Sequence, residues 1–539
     1  MFFAENPVLQ RELLVNLRMP RAFLTLAAYV GLLGLVVYAA WPQQTRLDIT
    51  NPQAAIRLVN MFFLGQYLLA ALMAPTFAAG AITGEKERRT YEMLLAAPLR
   101  PWAIVLGKLL ASLAHLGLVI FCSLPIVMLC LPLGGTSVYE VLAVYLAILL
   151  AVATFGMISL TCSSFFRRTA ASLVVSYLVI LPLALAGGGF WYLFAKLGPV
   201  RLLLSFTLIP AVALAVWVAL GKIVAMRLLY PPDVGSEGQD VVDEEQEMEN
   251  AVGLIIRRDK FPDRLFAPPK RSDLMPDGAN PVYDKEMRSE LFSQGTLMMR
   301  VVIQASMFLA IPLMAFWLFV FPDKATWYMS YVLVFNLLAG PVFSAPAVTN
   351  ERERQTLDLL LTTLLTPWQI LSGKLLAAWR VSTVLTLFLL WPMLLAVLMV
   401  PAYHDRQNLL VMLSFVGLML ATSVLTSVVG LVASVLSPRT SVSLVASYLV
   451  LALVFFGPLA ALAFVQVFHP QWAEAVQHGL FISPIGTALQ LPLDMVSIRS
   501  GELRSWWPLL WNVLFSLSLS CLLLLGLGRL FAVRWRVAG

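Results

Sequence analysis

The sequence predicts an all-α polytopic membrane protein, with about twelve transmembrane helices arranged as two parallel six-helix repeats and amphipathic helices on the cytosolic side. Three observations lead there. Only 12% of the 539 residues are charged while 60% are hydrophobic, and the mean hydropathy is +0.84; a soluble domain carries about 25% charge. Apolar runs of roughly 20 residues, enough to cross a ~30 Å hydrocarbon core, recur along the whole chain. Finally, sequence blocks from the first half return in order in the second.

The apolar runs lie near 22–41, 58–82, 103–132, 138–165, 170–193 and 202–229, then near 299–321, 326–348, 368–401, 408–436, 441–468 and 506–532. Their length and continuity point to helices, because barrel strands are about 10 residues long with alternating polarity. The opening MFFAENPVLQRELLVNLRMPRAF spreads charge ahead of the first long apolar run, which does not fit a cleavable signal. Cys122, Cys130, Cys162 and Cys521 all fall in apolar runs, so neither a disulfide framework nor a CxxC metal site is expected.

Lysine and arginine in the short loops set the orientation. With a cytosolic N-terminus, one side collects Arg11, Arg18, Arg21, Lys86, Arg88, Arg89, Arg100, Lys108, Arg167, Arg168, Lys285, Arg288, Arg352, Arg354, Lys374, Arg439, Arg534 and Arg536. The other side holds the sparser Arg46, Lys196, Lys324, Arg406, Arg499 and Arg504. Both termini are therefore expected in the cytosol. The net charge of +7 is mostly this bias, and no compact basic domain supports nucleic-acid binding.

Three anchors define the repeat. NPVLQRE at 6–12 returns as NPVYDKE at 280–286, EKERRTYEMLLAAPLRPWAIVLGK at 85–108 as ERERQTLDLLLTTLLTPWQILSGK at 351–374, and RTAASLVVSY at 168–177 as RTSVSLVASY at 439–448. An even number of spans per copy makes both copies enter the bilayer in the same direction. The expected division is a first six-span unit at 1–230, a polar cytosolic linker at 231–278 and a second unit at 279–539. The linker's Pro, Gly and acidic content cannot bury a core. A long external insertion at 469–505 has no counterpart of equal length in the first copy.

The charged segment reads as one surface helix over 84–97. Gly84 or Asn350 stands at its N-cap, Glu87 or Glu353 at the third position, Glu85 pairs with Arg89 at i, i+4, and Tyr91, Leu94 and Leu95 form an apolar stripe. Pro101 or Pro367 then opens the next span, Gly107 or Gly373 permits close packing, and Lys108 or Lys374 reaches for the headgroups. A merely solvated helix would have the same chemistry; the return of the same residue types in both copies favours a function.

These residues resemble the cytosolic loop of ABC-2 type transporter permeases, roughly E-R-E-x-G-T-L-E-x-L-L-x-T-P-L-x-x-x-x-I-L-x-G-K. The first copy supplies Glu85, Glu87, Arg88, Thr90, Glu92, Leu94, Leu95, Pro98, Leu99, Gly107 and Lys108; the second supplies Glu351, Arg352, Glu353, Thr356, Leu357, Asp358, Leu360, Leu361, Gly373 and Lys374. Arg89 and Gln355 replace the usual glycine with a helix-compatible residue, and Leu364 stands where Pro98 leads one to expect proline.

The resemblance implies a permease component whose power comes from separate ATPases. It implies ATPase coupling through Glu85, Glu87, Arg88, Thr90, Glu92, Gly107 and Lys108, and through Glu351, Glu353, Arg354, Thr356, Asp358, Gly373 and Lys374. An interfacial helix in each copy, about 5–20 and 279–296, would carry Arg11 and Glu12 or Lys285 and Glu286. Two copies of an ATPase subunit would bind ATP and Mg, leaving no cofactor in this chain. The two halves would pair, so that one polypeptide forms the pathway in the plasma (inner) membrane, with Phe62, Phe63, Gln66, Tyr177, Asn336 and Tyr448 as pathway residues. Export is the family's usual direction.

The residues themselves agree with an absent ATPase. GKLL at 107 and 373 and GKIV at 221 lack the glycine spacing and the Ser or Thr of a phosphate loop. His115, His404, His469 and His478 have no carboxylate partners at ligand spacing, and Ser163–Ser164 and the Gly187–Gly188–Gly189 turn belong to no catalytic motif. HPQWAEAVQHGLF at 469–481 reads either as an external gate helix or as a packed surface loop. Span interiors almost free of ionisable groups favour an amphipathic or lipid-like cargo. They also weigh against the alternative of a six-plus-six ion-coupled transporter, which buries such groups. A non-transporting anchor for a cytosolic ATPase is the other alternative.

Overall fold

The computed structural model describes residues 20–40, 53–128, 137–166, 168–193, 198–230, 278–288, 325–393, 406–491 and 506–535, with isolated positions at 7, 9–11, 13 and 312. Among the described residues every regular element is helical. Ten helical runs among the described residues are long and apolar enough to cross a bilayer. Pro20–Ala40 adds a 21-residue helix where the first span is expected. Apart from position 312, the expected span at 299–321 lies outside the described residues, as does the expected linker at 231–278 apart from Gly278.

The chain divides into two compact units, Met1–Glu237 with Ala463–Gln471, and Gly238–Leu462 with Trp472–Gly539. The first contains α1 (Pro20–Ala40), α2 (Gln53–Ala78), α3 (Gly80–Glu87), α4 (Tyr91–Ala96), α5 (Pro101–Met128), α6 (Val138–Phe165), α7 (Thr169–Leu193), α8 (Gly198–Phe206) and α9 (Leu208–Leu229). Helix α6 is its hub, packing against α2, α5, α7 and α9, while α1 lies on α5. Leucines such as Leu203 and Leu214 point outward on the other faces, which suits a lipid solvent.

The second unit contains α10 (Pro281–Arg288), α11 (Ala325–Ser344), α12 (Pro346–Glu353), α13 (Leu357–Leu361), α14 (Pro367–Phe388), α15 (Arg406–Leu436), α16 (Thr440–Phe468), α17 (Ala473–His478), α18 (Pro484–Gln490) and α19 (Trp507–Trp535). Helix α15 is the hub, against α11, α14 and α19, and α10 lies on α14.

Local chemistry sets the helix starts. Pro367 and Pro484 occupy first-turn positions where no N–H is needed. Ser137 with Glu140 and Thr366 with Gln369 form capping boxes that open α6 and α14.

The run at 202–229 holds as one span, Leu202–Leu229, with Thr207 at the junction of α8 and α9. Two local expectations change. Gly187–Gly189 is helix rather than turn, and the Tyr67 hydroxyl lies against Gly187 while donating to the Ala184 carbonyl at 3.1 Å. HPQWAEAVQHGLF at 469–481 is not a single helix; it folds as short, mostly exposed helical turns, and the chain runs on into α18, whose Pro484–Ala488 are buried against α11 and α15. Ser483 ties it in by donating to the Phe455 carbonyl and accepting from the Gly486 N–H.

Candidate functional site

The charged segment is not one surface helix. Pro75 and Pro341 interrupt the backbone ladder of span two, yet Ala79 and Ala345 keep helical dihedrals, and each donates to the proline carbonyl at 2.8 Å. Helices α3 and α12 therefore continue span two to its end. The helical run Ile56–Glu87 has 32 residues, roughly 48 Å, so it outlasts the ~30 Å hydrocarbon core. Gly84 and Asn350 sit inside these helices rather than at N-caps, and Glu87 and Glu353 are their last residues.

The chain then breaks. Arg89 and Gln355 take φ of +57° and +58°, the left-handed region. Helices α4 and α13 start afresh at Tyr91 and Leu357, so the expected Glu85–Arg89 helical pair does not form.

Inside each corner stands one carboxylate. Glu85 accepts from Lys108 at 3.0 Å and from the Thr90 hydroxyl, and Glu351 accepts from Lys374 at 3.3 Å and from the Thr356 hydroxyl. Lys108 and Lys374 are buried; neither extends to headgroups as expected. Each links the start of span three to the end of span two. Burial opposes charge on Glu85, but Thr90, Lys108 and Arg11 outweigh it and hold the carboxyl below its usual range. On Glu351 burial is likewise overcome, by Lys374, Thr356 and Lys285, and its pKa falls to about 2.

The next two residues finish other helices. Lys86 donates to the Ser164 and Phe166 carbonyls at 2.8 and 3.2 Å, closing the C-terminus of α6, and Arg352 donates to the Val435 and Ser437 carbonyls at the end of α15. Glu87 accepts from the Thr169 N–H and Glu353 from the Thr440 N–H, both at 2.8 Å, capping α7 and α16. Ser163 accepts from the Ile82 and Thr83 N–H groups, and Ser434 from Val348 and Thr349. The paired serines thus satisfy backbone at the bend of span two. The ends of spans two, three, four and five are joined in each unit.

In the second unit α10 joins this corner. Asn280 caps α10 by accepting from the Val282 N–H at 3.0 Å, and it donates to the Gln369 carbonyl at 2.8 Å. Gly373 makes room, because a Cβ there would meet the Tyr283 backbone nitrogen at 2.9 Å. Lys374 also pairs with Glu286 at 2.5 Å, and Lys285 with Glu351 at 3.0 Å. In the first unit Arg11 is exposed and Glu12 lies outside the described residues. The caps and Asn280 were missed by sequence reasoning, although the repeated Asn-Pro is a helix-start signal.

What remains outward is a small face. Arg88, Glu92 and Met93 are exposed on the first copy and Arg354, Asp358 and Leu359 on the second. The apolar stripe points the other way. Leu357 is buried, and Leu360 and Leu361 pack on a core of Val348, Ile370, Leu371 and Leu431. No cluster of three or more metal-ligating side chains occurs among the described residues.

Two stretches, residues 8–212 and 202–535, match the family model described as ABC-2 family transporter protein. The chain belongs to the ABC-2 transporter family. It is a duplicated ABC-2 permease, a multi-pass membrane component of an ABC transporter. No curated protein and no solved structure matches the chain. In the loop pattern that this segment resembles, glycine stands where Arg89 and Gln355 stand here. That position is left-handed here, so the expectation that both residues continue a helix is overturned.

The six residues expected along a pathway are all buried. Tyr177 donates to the Leu72 carbonyl at 2.6 Å and Tyr448 to the Leu338 carbonyl at 2.9 Å, each three residues before the span-two proline. Phe63 packs edge-on against Tyr145, and Phe62 is buried beside it in α2. Gln66 donates to Ser123 at 2.7 Å, while Asn336 donates to the Met419 carbonyl at 3.1 Å.

Proposed function

We propose that this chain is the complete permease of an ABC exporter, recruiting two separate ATP-binding subunits through α3–α4 and α12–α13 on the cytosolic side. The observation that carries this reading is the corner itself. Glu85–Thr90–Lys108 and Glu351–Thr356–Lys374 make the same contacts, so a push on α4 or α13 is delivered to the ends of four spans together. ATP and Mg belong to the partners. The lysine and arginine excess on the corner side supports a cytosolic orientation with both termini inside, and span interiors poor in charge support an amphipathic or lipid-like cargo. The two halves pair to form one pathway.

The test separates the outward face from the inner contacts. The chain is purified from its native membrane with its associated ATPase, and ATP-driven transport is measured in vesicles. Met93→Glu with Leu359→Glu is expected to abolish ATPase association while thermal stability stays within about 1 kcal/mol, as for exposed positions. Full association and transport in that double variant would overturn the docking assignment.

A further inference from the structure

Leu376, Trp379, Arg380, Thr383 and Val384 recur at i, i+3, i+4, i+7 and i+8, which puts them on one stripe of α14. With Tyr283 of α10 they line an open groove of about 300 Å³. Its parts differ in chemistry. Leu376 and Val384 supply an aliphatic wall, the Trp379 indole is held by donating to Ser423 at 2.9 Å, and the half-buried Arg380 donates to the Tyr283 hydroxyl at 2.8 Å. A guanidinium on a membrane helix is costly unless it sits near an interface with acceptors. Here α10 marks that interface, since its Lys285 is exposed and its Asn280 caps the surface end of the helix.

We propose that this groove binds one anionic phospholipid from the leaflet at the charged end of the second unit. Its phosphodiester would lie against Arg380, and the start of an acyl chain along Leu376, Trp379 and Val384. Arginine suits a phosphate because its planar fork offers two parallel donors. Tryptophan and tyrosine are the side chains that settle at headgroup depth. Basic pockets between membrane helices on the cytosolic side recognise anionic headgroups.

The site exists in one copy only. In the repeat register Tyr283, Trp379, Arg380 and Thr383 correspond to Leu9, Leu113, Ala114 and Gly117, none of which bears a charge or an aromatic ring. The groove is therefore no product of the shared fold, and it does not depend on which ATPase the permease recruits.

The experiment uses the full-length chain in a mild detergent, titrated with phosphatidylglycerol, phosphatidylcholine or inorganic phosphate while thermal unfolding and bound lipid are followed by melting curves and native mass spectrometry. One phosphatidylglycerol per chain is expected to survive transfer to the gas phase and to raise the melting temperature more than phosphatidylcholine does. Arg380→Gln is expected to weaken that effect on the order of tenfold or more, the value of a charge-assisted contact. Arg380→Lys, which keeps the charge and loses the fork, should fall between the two and covers the case in which the glutamine variant does not fold. Equal effects of both lipids, full stabilisation by inorganic phosphate alone, or an Arg380→Lys response equal to wild type would each overturn the proposal.

Discussion

The corner at Glu85 and the corner at Glu351 agree on the inside and differ on the outside. Inward, the matching positions carry Thr90 and Thr356, Ser163 and Ser434, Glu87 and Glu353, and Tyr177 and Tyr448, with matching hydrogen-bond partners in each unit. Outward, Met93 faces Leu359 in the register, Arg89 faces Gln355, and Pro98 faces the fully exposed Leu364. The buried polar pairs of the span interiors also differ, since Gln66 bonds Ser123 in one unit and Asn336 bonds backbone in the other. What two copies of one permease unit hold in common is thus the joint between helix ends. The outward faces have diverged.

The comparison breaks most severely at the buried lysine. Lys374→Met removes the buried cation that Glu351 and Glu286 share, leaving Glu351 only the exposed Lys285, and a cost of about 3–5 kcal/mol is expected in thermal unfolding; a loss under about 1 kcal/mol would remove the joint from the account. Tyr448→Phe and Tyr177→Phe each delete one hydroxyl from a buried carbonyl, worth about 1–2 kcal/mol. Equal losses in the two variants would show that the joint is equivalent in both units. Glu353→Gln and Glu87→Gln weaken a helix cap, and about 1 kcal/mol each is expected by the same measurement.

Smaller changes sharpen the comparison. Arg89→Gly and Gln355→Gly relieve a left-handed backbone that costs a side chain about 1–2 kcal/mol, less the extra freedom glycine gains when unfolded, so a net gain up to about 1 kcal/mol is expected at both positions. Acid is the mildest probe. The Glu351 pKa is depressed to about 2, so its carboxylate contributes stability above its ordinary value near 4.5, and that contribution is lost as pH falls toward 2. Melting curves of Glu351→Gln across this window should be flatter than wild type, and parallel curves would show that Glu351 carries none of the loss.

Spans and duplication were legible because they depend on patterns within one run or on likeness between two. The corner was only half legible. Glu85, Thr90 and Lys108 stand out as a recurring set, yet nothing local reveals that Lys108 points inward or that Glu87 caps a helix starting 82 residues later. The break at Arg89 was hidden for a different reason. A left-handed residue is normally announced by glycine, and here arginine and glutamine take its place, held by the joints on either side. Expectations built from helical spacing ran straight through it.

Because Lys86 and Glu87 terminate α6 and α7, the stretch that a docking partner would touch cannot be treated as a detachable module. A chimera that imports residues 80–108 into a foreign permease without the 163–169 turn would carry a cation and a carboxylate with nothing to close, and would leave the recipient's own helix ends bare. Specificity could be re-engineered on the outward positions alone, or else by moving both stretches as one graft.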